Sequence, residues 1–157
     1  MPGASVVQVN VSRGGVPKLP VREAAAGELG LAGDGHDDTV NHGGPERAVC
    51  LFAIERIEAL AAEGHPLFAG AAGENVTTRG LDWDSVAPGT RLRLGADAVV
   101  EVTRYTTPCR TIAHWFADGD FTRIHQNVRP GWSRVYARVL RGGVIRPGDP
   151  IETLPPE

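Results

Sequence analysis

The sequence predicts a mainly β fold: a barrel carrying a few short helices. Three observations point that way. Many short segments are alternating or continuously apolar, Gly and Pro turn signals separate them, and only two stretches carry helical periodicity. The twenty glycines and twelve prolines are spread along the chain, so they punctuate strands and do not form low-complexity filler. No strand–helix–strand alternation is visible and nothing divides the chain, so residues 1–157 read as one domain.

Ser5–Ser12 alternates, with Val7, Val9 and Val11 on one face and Gln8, Asn10 and Ser12 on the other, as in a half-buried strand. A loop follows at Arg13–Lys18, where Gly14 and Gly15 admit unusual backbone angles. Residues 27–44 are rich in glycine and acidic side chains and have no apolar periodicity, which predicts a long loop of the kind that carries function. Arg47–Ala53 reads as a buried strand. Ile54, Ile57, Leu60 and Ala61 then make a helical stripe opposite Glu55, Arg56 and Glu58, ended by Gly64 and Pro66. Arg91–Leu94 and Val99–Tyr105 are strands joined by a hairpin-sized connection, and Ile112, Trp115 and Phe116 predict a short helix after Cys109. Val135, Ala137 and Val139 alternate in another strand, and Ile151–Leu154 is the last, entered through a Pro-Gly-Asp turn.

A hydrophobic fraction of 41% and a charged fraction of 22% are ordinary for a soluble domain, and a formal net charge of −3 excludes a general nucleic-acid binder. No apolar run approaches the ~18 residues needed to cross a bilayer, and no basic apolar signal segment opens the chain. Cytoplasm is therefore the expected location, with no membrane partner. Two cysteines in different contexts are no disulfide framework. Locally, Arg129, Arg134, Arg138, Arg141 and Arg146 fall in a stretch without acids, which reads either as a solvated strand face or as an anion-facing wall.

Four stretches hold polar groups that strands alone do not require. Ser12, Arg13 and Lys18 combine a glycine loop's backbone N–H groups with a point charge, a way of holding phosphate, although a lysine on a turn is commonly just solvated. The run from Asp34 and His36 to Asn41, His42, Gly43, Gly44 and Arg47 offers nitrogen and oxygen donors for a zinc or iron site at Asp34, His36 and His42, or simply turns. Residues 73–78, with Glu74 and Asn75, present a donor–acceptor edge that suits a heterocycle, or a turn entering a strand. Finally, Cys109 ends a strand before the short helix with Arg110 adjacent, and both features favour the thiolate that attacks electrophiles or binds soft metals. Cys50, inside Ala48–Phe52, reads instead as an inert packed side chain.

The runs GGVPK at 14–18, GLAGD at 30–34, HGGPERAVCLF at 42–52, GENVTT at 73–78 and PC at 108–109 resemble, in order, the MOSC family, the C-terminal domain of molybdenum cofactor sulfurases, and especially its small bacterial stand-alone members. The resemblance implies a β-barrel that binds molybdenum cofactor, a pterin dithiolene carrying Mo and a phosphate. It implies that Cys109 is the protein ligand to Mo and the catalytic residue. Ser12 and Lys18 become candidates for the phosphate or pterin. His42, Gly43, Gly44 and Arg47 would line the pocket, and Glu74 and Asn75 would face the pterin.

The resemblance also implies a molybdenum-dependent reductase of N-hydroxylated compounds acting on a small-molecule substrate, with Glu74 or His42 supplying protons. Several bacterial members of that family continue past the barrel into a small helical domain with an iron–sulfur or electron-transfer partner nearby. Two cysteines cannot hold a four-cysteine cluster, so a reductase of this kind would draw electrons from a separate protein. Two alternatives use the same cysteine: a persulfide sulfur carrier or transferase, and a non-enzymatic cofactor carrier.

Overall fold

The computed structural model describes residues 3–35 and 44–155. His36, Asn41, His42 and Gly43, on which several of these expectations fall, lie outside the described residues. The described chain forms eleven strands, one α-helix and short 3-10 turns. An eight-stranded sheet runs in the order β11 (Ile151–Leu154), β7 (Arg91–Leu94), β8 (Ala98–Tyr105), β9 (Val135–Arg141), β5 (Val49–Ala53), β6 (Val76–Arg79), β1 (Ser5–Val11), β2 (Leu19–Val21). A small sheet of β10 (Gly143–Ile145), β3 (Ala24–Gly27) and β4 (Gly30–Leu31) stands beside it.

The mainly β expectation holds, but the large sheet does not close into a barrel. Its ends, β2 and β11, are not paired with each other. The two ends of the sheet approach at one isolated bridge, Ser5 with Pro150, flanked by bonds from Val6 N to Asp149 O and from Ile151 N to Ala4 O. A third bond, from Gly148 N to Val6 O, continues this contact, and among the described residues no further pairing joins the two strands. On the other side β2 is only three residues long and has Pro20 at its centre.

Strand alternation is also broken where it looked cleanest. A register shift between Val6 and Gln8 sends Val6 and Val9 into the core, leaves Val7 and Val11 half-buried, and buries the polar Asn10 completely. The helix α1 spans Ile54–Ala62 and buries Ile54, Ile57 and Leu60, while Ala61 is exposed. It carries the chain from β5 to β6, which pair in parallel, so one strand–helix–strand crossover exists that the sequence pattern did not reveal. The core between sheet and helix is built from Leu51, Phe52, Leu60, Leu92, Val100 and Val135, all fully buried. Each completely buried side chain of this size contributes on the order of 2 kcal/mol. Among the described residues no helix is long and apolar enough to cross a membrane.

Candidate functional site

The middle of the large sheet is continuously apolar through β5 but ends in polar residues at one edge, and the loops there enclose a cavity of about 170 Å³. Gly15, Val16 and Lys18 line it from the first loop, with Gly35 beside them. Arg47 and Cys50 come from the entry to β5, and Ala72, Gly73 and Asn75 from the loop before β6. Thr107, Cys109, Thr111 and Ile112 close the far side, and Arg134 and Tyr136 project from the start of β9. Packing of the loops is close: a side chain at Gly70 would meet Lys18 O at 2.3 Å, and φ there is +92°.

One polar network holds this edge together. Lys18 Nζ reaches Asp34 Oδ1 at 2.7 Å, and both side chains are almost wholly buried. Asp34 also accepts from Ser12 N at 3.0 Å and from Asn75 Nδ2 at 2.9 Å. Asn75 Oδ1 in turn accepts from Cys50 N at 2.9 Å, and its Nδ2 donates to Asn10 O at 3.2 Å. The segments that the sequence presented as separate motifs, 14–18, 30–34 and 73–78, are therefore one hydrogen-bonded unit around the β5 entry. Asp34 is neutralised by Lys18 and bonded on both oxygens, which makes it a clamp. Among the described residues no group of three or more His, Cys, Asp or Glu side chains could hold a metal.

Cys109 is exposed, follows Pro108 at the end of the β8 loop, and its Sγ lies 2.9 Å from Thr111 Oγ1. The chain then turns through a 3-10 segment over Arg110–Trp115 in place of an α-helix. Of the other residues expected at the site, Lys18, Arg47 and Asn75 line the cavity. Ser12 does not: its hydroxyl donates to Gly15 O and its N–H to Asp34, so it shapes the first loop. Gly44 is also away from the cavity, taking φ of +84° to start the 3-10 turn Pro45–Arg47. Glu74, expected to face the ligand, is fully buried and not among the lining residues. Its Oε2 accepts from Gly70 N at 3.0 Å and Thr77 Oγ1 at 2.9 Å, fixing the loop from beneath, and burial pushes its pKa up toward the neutral form.

Among the lining residues that the sequence did not single out as site residues, three carry ionisable side chains. Cys50 is buried, as expected of a packed strand cysteine, yet its side chain borders the same cavity as Cys109. Burial pushes its thiol up to about 12, against a smaller opposing pull from Arg134. Tyr136 pairs with Cys50 across β5 and β9, is half-buried, and burial raises its phenol to about 12. Arg134 is 7% exposed, with Nη1 bonded to Ala72 O at 2.5 Å. Arg134 and Tyr136 are two residues apart, so the strand's period of two puts both on the cavity face. The arginine-rich stretch thus divides. Arg129 pairs with Glu63, Arg138 with Glu46 and Glu101, Arg141 with Asp97 and Arg146 with Glu23, while Arg134 turns inward.

The fold and site together define a small open-sheet β domain whose edge cavity brings an exposed cysteine and the side chains of Arg47 and Arg134 to one place. The MOSC domain profile matches residues 38–152, and the chain belongs to the MOSC domain family. It is 36% identical over 145 residues to YflK of Bacillus subtilis, covering 89% of this chain and 63% of that protein. It is 33% identical to YiiM of Escherichia coli, covering 81% of this chain and 57% of that one, so it spans less than two thirds of either relative. The solved structure of YiiM from Geobacillus stearothermophilus superposes with a TM-score of 0.77 at 29% identity, covering 97% of this chain and 75% of that one. A protein described as a reductase from Gibberella moniliformis is 34% identical over 80% of this chain, which is 22% of its own length. MOSC domains as a family are associated with molybdenum cofactor.

Proposed function

We propose that this domain binds molybdenum cofactor in the cavity between the first loop, β5 and β9, with Cys109 Sγ as the protein ligand to the metal, and that it reduces N-hydroxylated compounds. The observation that carries this is the pairing, in one cavity, of an exposed thiol with the buried guanidinium of Arg134, whose Nε has no partner. A soft sulfur donor suits molybdenum and a dry cationic wall suits the anionic groups of a pterin dithiolene phosphate. The residues present therefore fit the group. When bound, the cofactor supplies two-electron oxygen-atom transfer chemistry.

The chain's own residues do the rest. Thr111 Oγ1 orients the Cys109 sulfur, Asn75 and Lys18 keep the cavity edge rigid through Asp34, and Arg47 and Tyr136 line the cavity. Tyr136 lines the same cavity, and burial raises its phenol to about 12, so it stays neutral at any working pH. The reductase description of the fungal relative supports the redox reading.

Turnover of an N-hydroxylated base by the loaded protein with an artificial reductant tests this reading. Reduction by wild type and none by Cys109→Ala is the expected result. Bound molybdenum without turnover of any N-hydroxylated compound would make the protein a carrier, and a persulfide on Cys109 with no molybdenum would make it a sulfur transferase.

A further inference from the structure

Three guanidiniums of the described residues carry a buried Nε without a hydrogen-bond partner: Arg123, Arg134 and Arg138. Arg123 pairs with Asp118 through another nitrogen, and Arg138 pairs with Glu46 and, through Nε at 3.5 Å, with Glu101. Arg134 has no carboxylate within ion-pair distance among the described residues, and a single backbone carbonyl, Ala72 O, accepts from it. It is 93% buried by its 7% exposure and lines the cavity.

No carboxylate among the described residues forms an ion pair with it, although Glu74 lies close enough to feel its charge. Asp34 is committed to Lys18 at 2.7 Å. Glu74, the other buried carboxyl nearby, is bonded to Gly70 N and Thr77 Oγ1, and burial drives it toward its neutral form. A buried cation left without a counter-ion is costly, and a fold keeps one where a ligand supplies the missing charge. A guanidinium pinned at one nitrogen and open at Nε presents a fork suited to two oxygens of one anion.

We infer that Arg134 is the anion-recognition residue of this cavity, taking a phosphate or carboxylate oxyanion through its free edge, whereas Lys18 is a structural partner of Asp34. This deepens the proposed function and rests on it, since the anion belongs to the occupant of that same cavity. It also shifts the phosphate contact from the lysine that the sequence suggested to an arginine at the edge of β9. A lysine bridged to a buried carboxylate has its charge balanced already, and an anion beside it would compete with Asp34.

The test uses ligand-free protein and inorganic phosphate, so it stands or falls without molybdenum. Phosphate is titrated at constant ionic strength with chloride, following the melting temperature and the phosphorus NMR line. Wild type should bind, Arg134→Gln should bind at least ~10-fold more weakly, and Arg134→Lys should fall between, because it keeps a charge and loses the fork. Arg138→Gln, which touches the surface pair with Glu46, should titrate like wild type. If Arg134→Gln fails to fold, Arg134→Lys decides. No binding by wild type, or equal binding by wild type and the Arg134 variants, overturns the inference. In loaded protein, loss of pterin from Arg134→Lys assigns the anion to the cofactor's phosphate. Normal pterin content with a raised KM for acidic substrates assigns it to the substrate.

Discussion

The two thiols of the cavity should differ sharply in reactivity, and the size of the difference follows from burial. Cys50 is 5% exposed and its pKa is raised from 9.0 to about 12, so at pH 8 its thiolate is about a thousandfold scarcer than an ordinary thiol of that starting value would give. Steric exclusion by Val49 and Leu51, both fully buried, lowers the rate further. Cys109 is exposed with only Thr111 Oγ1 against its sulfur. In ligand-free folded protein, iodoacetamide should therefore modify Cys109 at least ~100-fold faster than Cys50. A timed alkylation followed by peptide mass spectrometry reads both rates. Cofactor binding should protect Cys109 and shrink the difference. Equal labelling of the two cysteines in folded protein would refute the reasoning, and faster labelling of Cys50 would refute it more strongly.

Other consequences are equally direct. Asn75→Ala removes the acceptor of Cys50 N–H and the donors to Asn10 O and Asp34, leaving buried groups unsatisfied at roughly 1–3 kcal/mol each; denaturant unfolding should show a loss of several kcal/mol, and a loss below ~1 kcal/mol would contradict the network. Lys18→Met leaves the Asp34 carboxylate buried without its cation and should cost ~3–5 kcal/mol in the same assay, with a cost near zero contradicting the clamp role. In alkali, an unfolded Cys50 gives up its proton near 9 while the folded one keeps it to about 12, so the unfolded state binds fewer protons in that window and stability falls as pH rises, by about 1.4 kcal/mol per unit. Unfolding curves at pH 9–11 should be flatter for Cys50→Ala than for wild type, and identical slopes would show that Cys50 is not the buried titrating thiol.

Strands that carry their own apolar pattern were legible: β7, β8, β9 and β11 lie where alternation and turn residues put them, and α1 follows its stripe. What escaped depends on contacts that local pattern does not encode. The bulge in β1 shifts which valines face inward, and β2, β3, β4 and β10 are too short, with Pro20 or alanine runs, to announce themselves. The failure of the barrel to close turns on how short the pairing is between the chain ends, one bridge at Ser5 and Pro150 beside a three-residue β2, which local pattern does not encode. At the site, Cys109, Lys18, Arg47 and Asn75 were visible as polar residues on loops. Arg134 was visible only as one of five arginines, because nothing in the sequence distinguishes the four that meet surface acids from the one that turns inward. A period-two reading from Arg134 to Tyr136, matched to the polar edge of β5, was the available signal. Cys50 was correctly read as buried, but burial in an apolar strand does not reveal that the strand's end borders a cavity.

Whether the cavity holds molybdenum through Cys109 is read most directly by elemental and pterin analysis of protein purified from a host that makes the cofactor, comparing wild type with Cys109→Ala. The side chain is exposed and outside the core, so the variant should fold as wild type does. Wild type should carry molybdenum and pterin near one per chain, and Cys109→Ala should lose the metal while keeping its melting temperature without ligand. Molybdenum at wild-type occupancy in the variant, or none in wild type from a host proficient in the cofactor, would contradict the account.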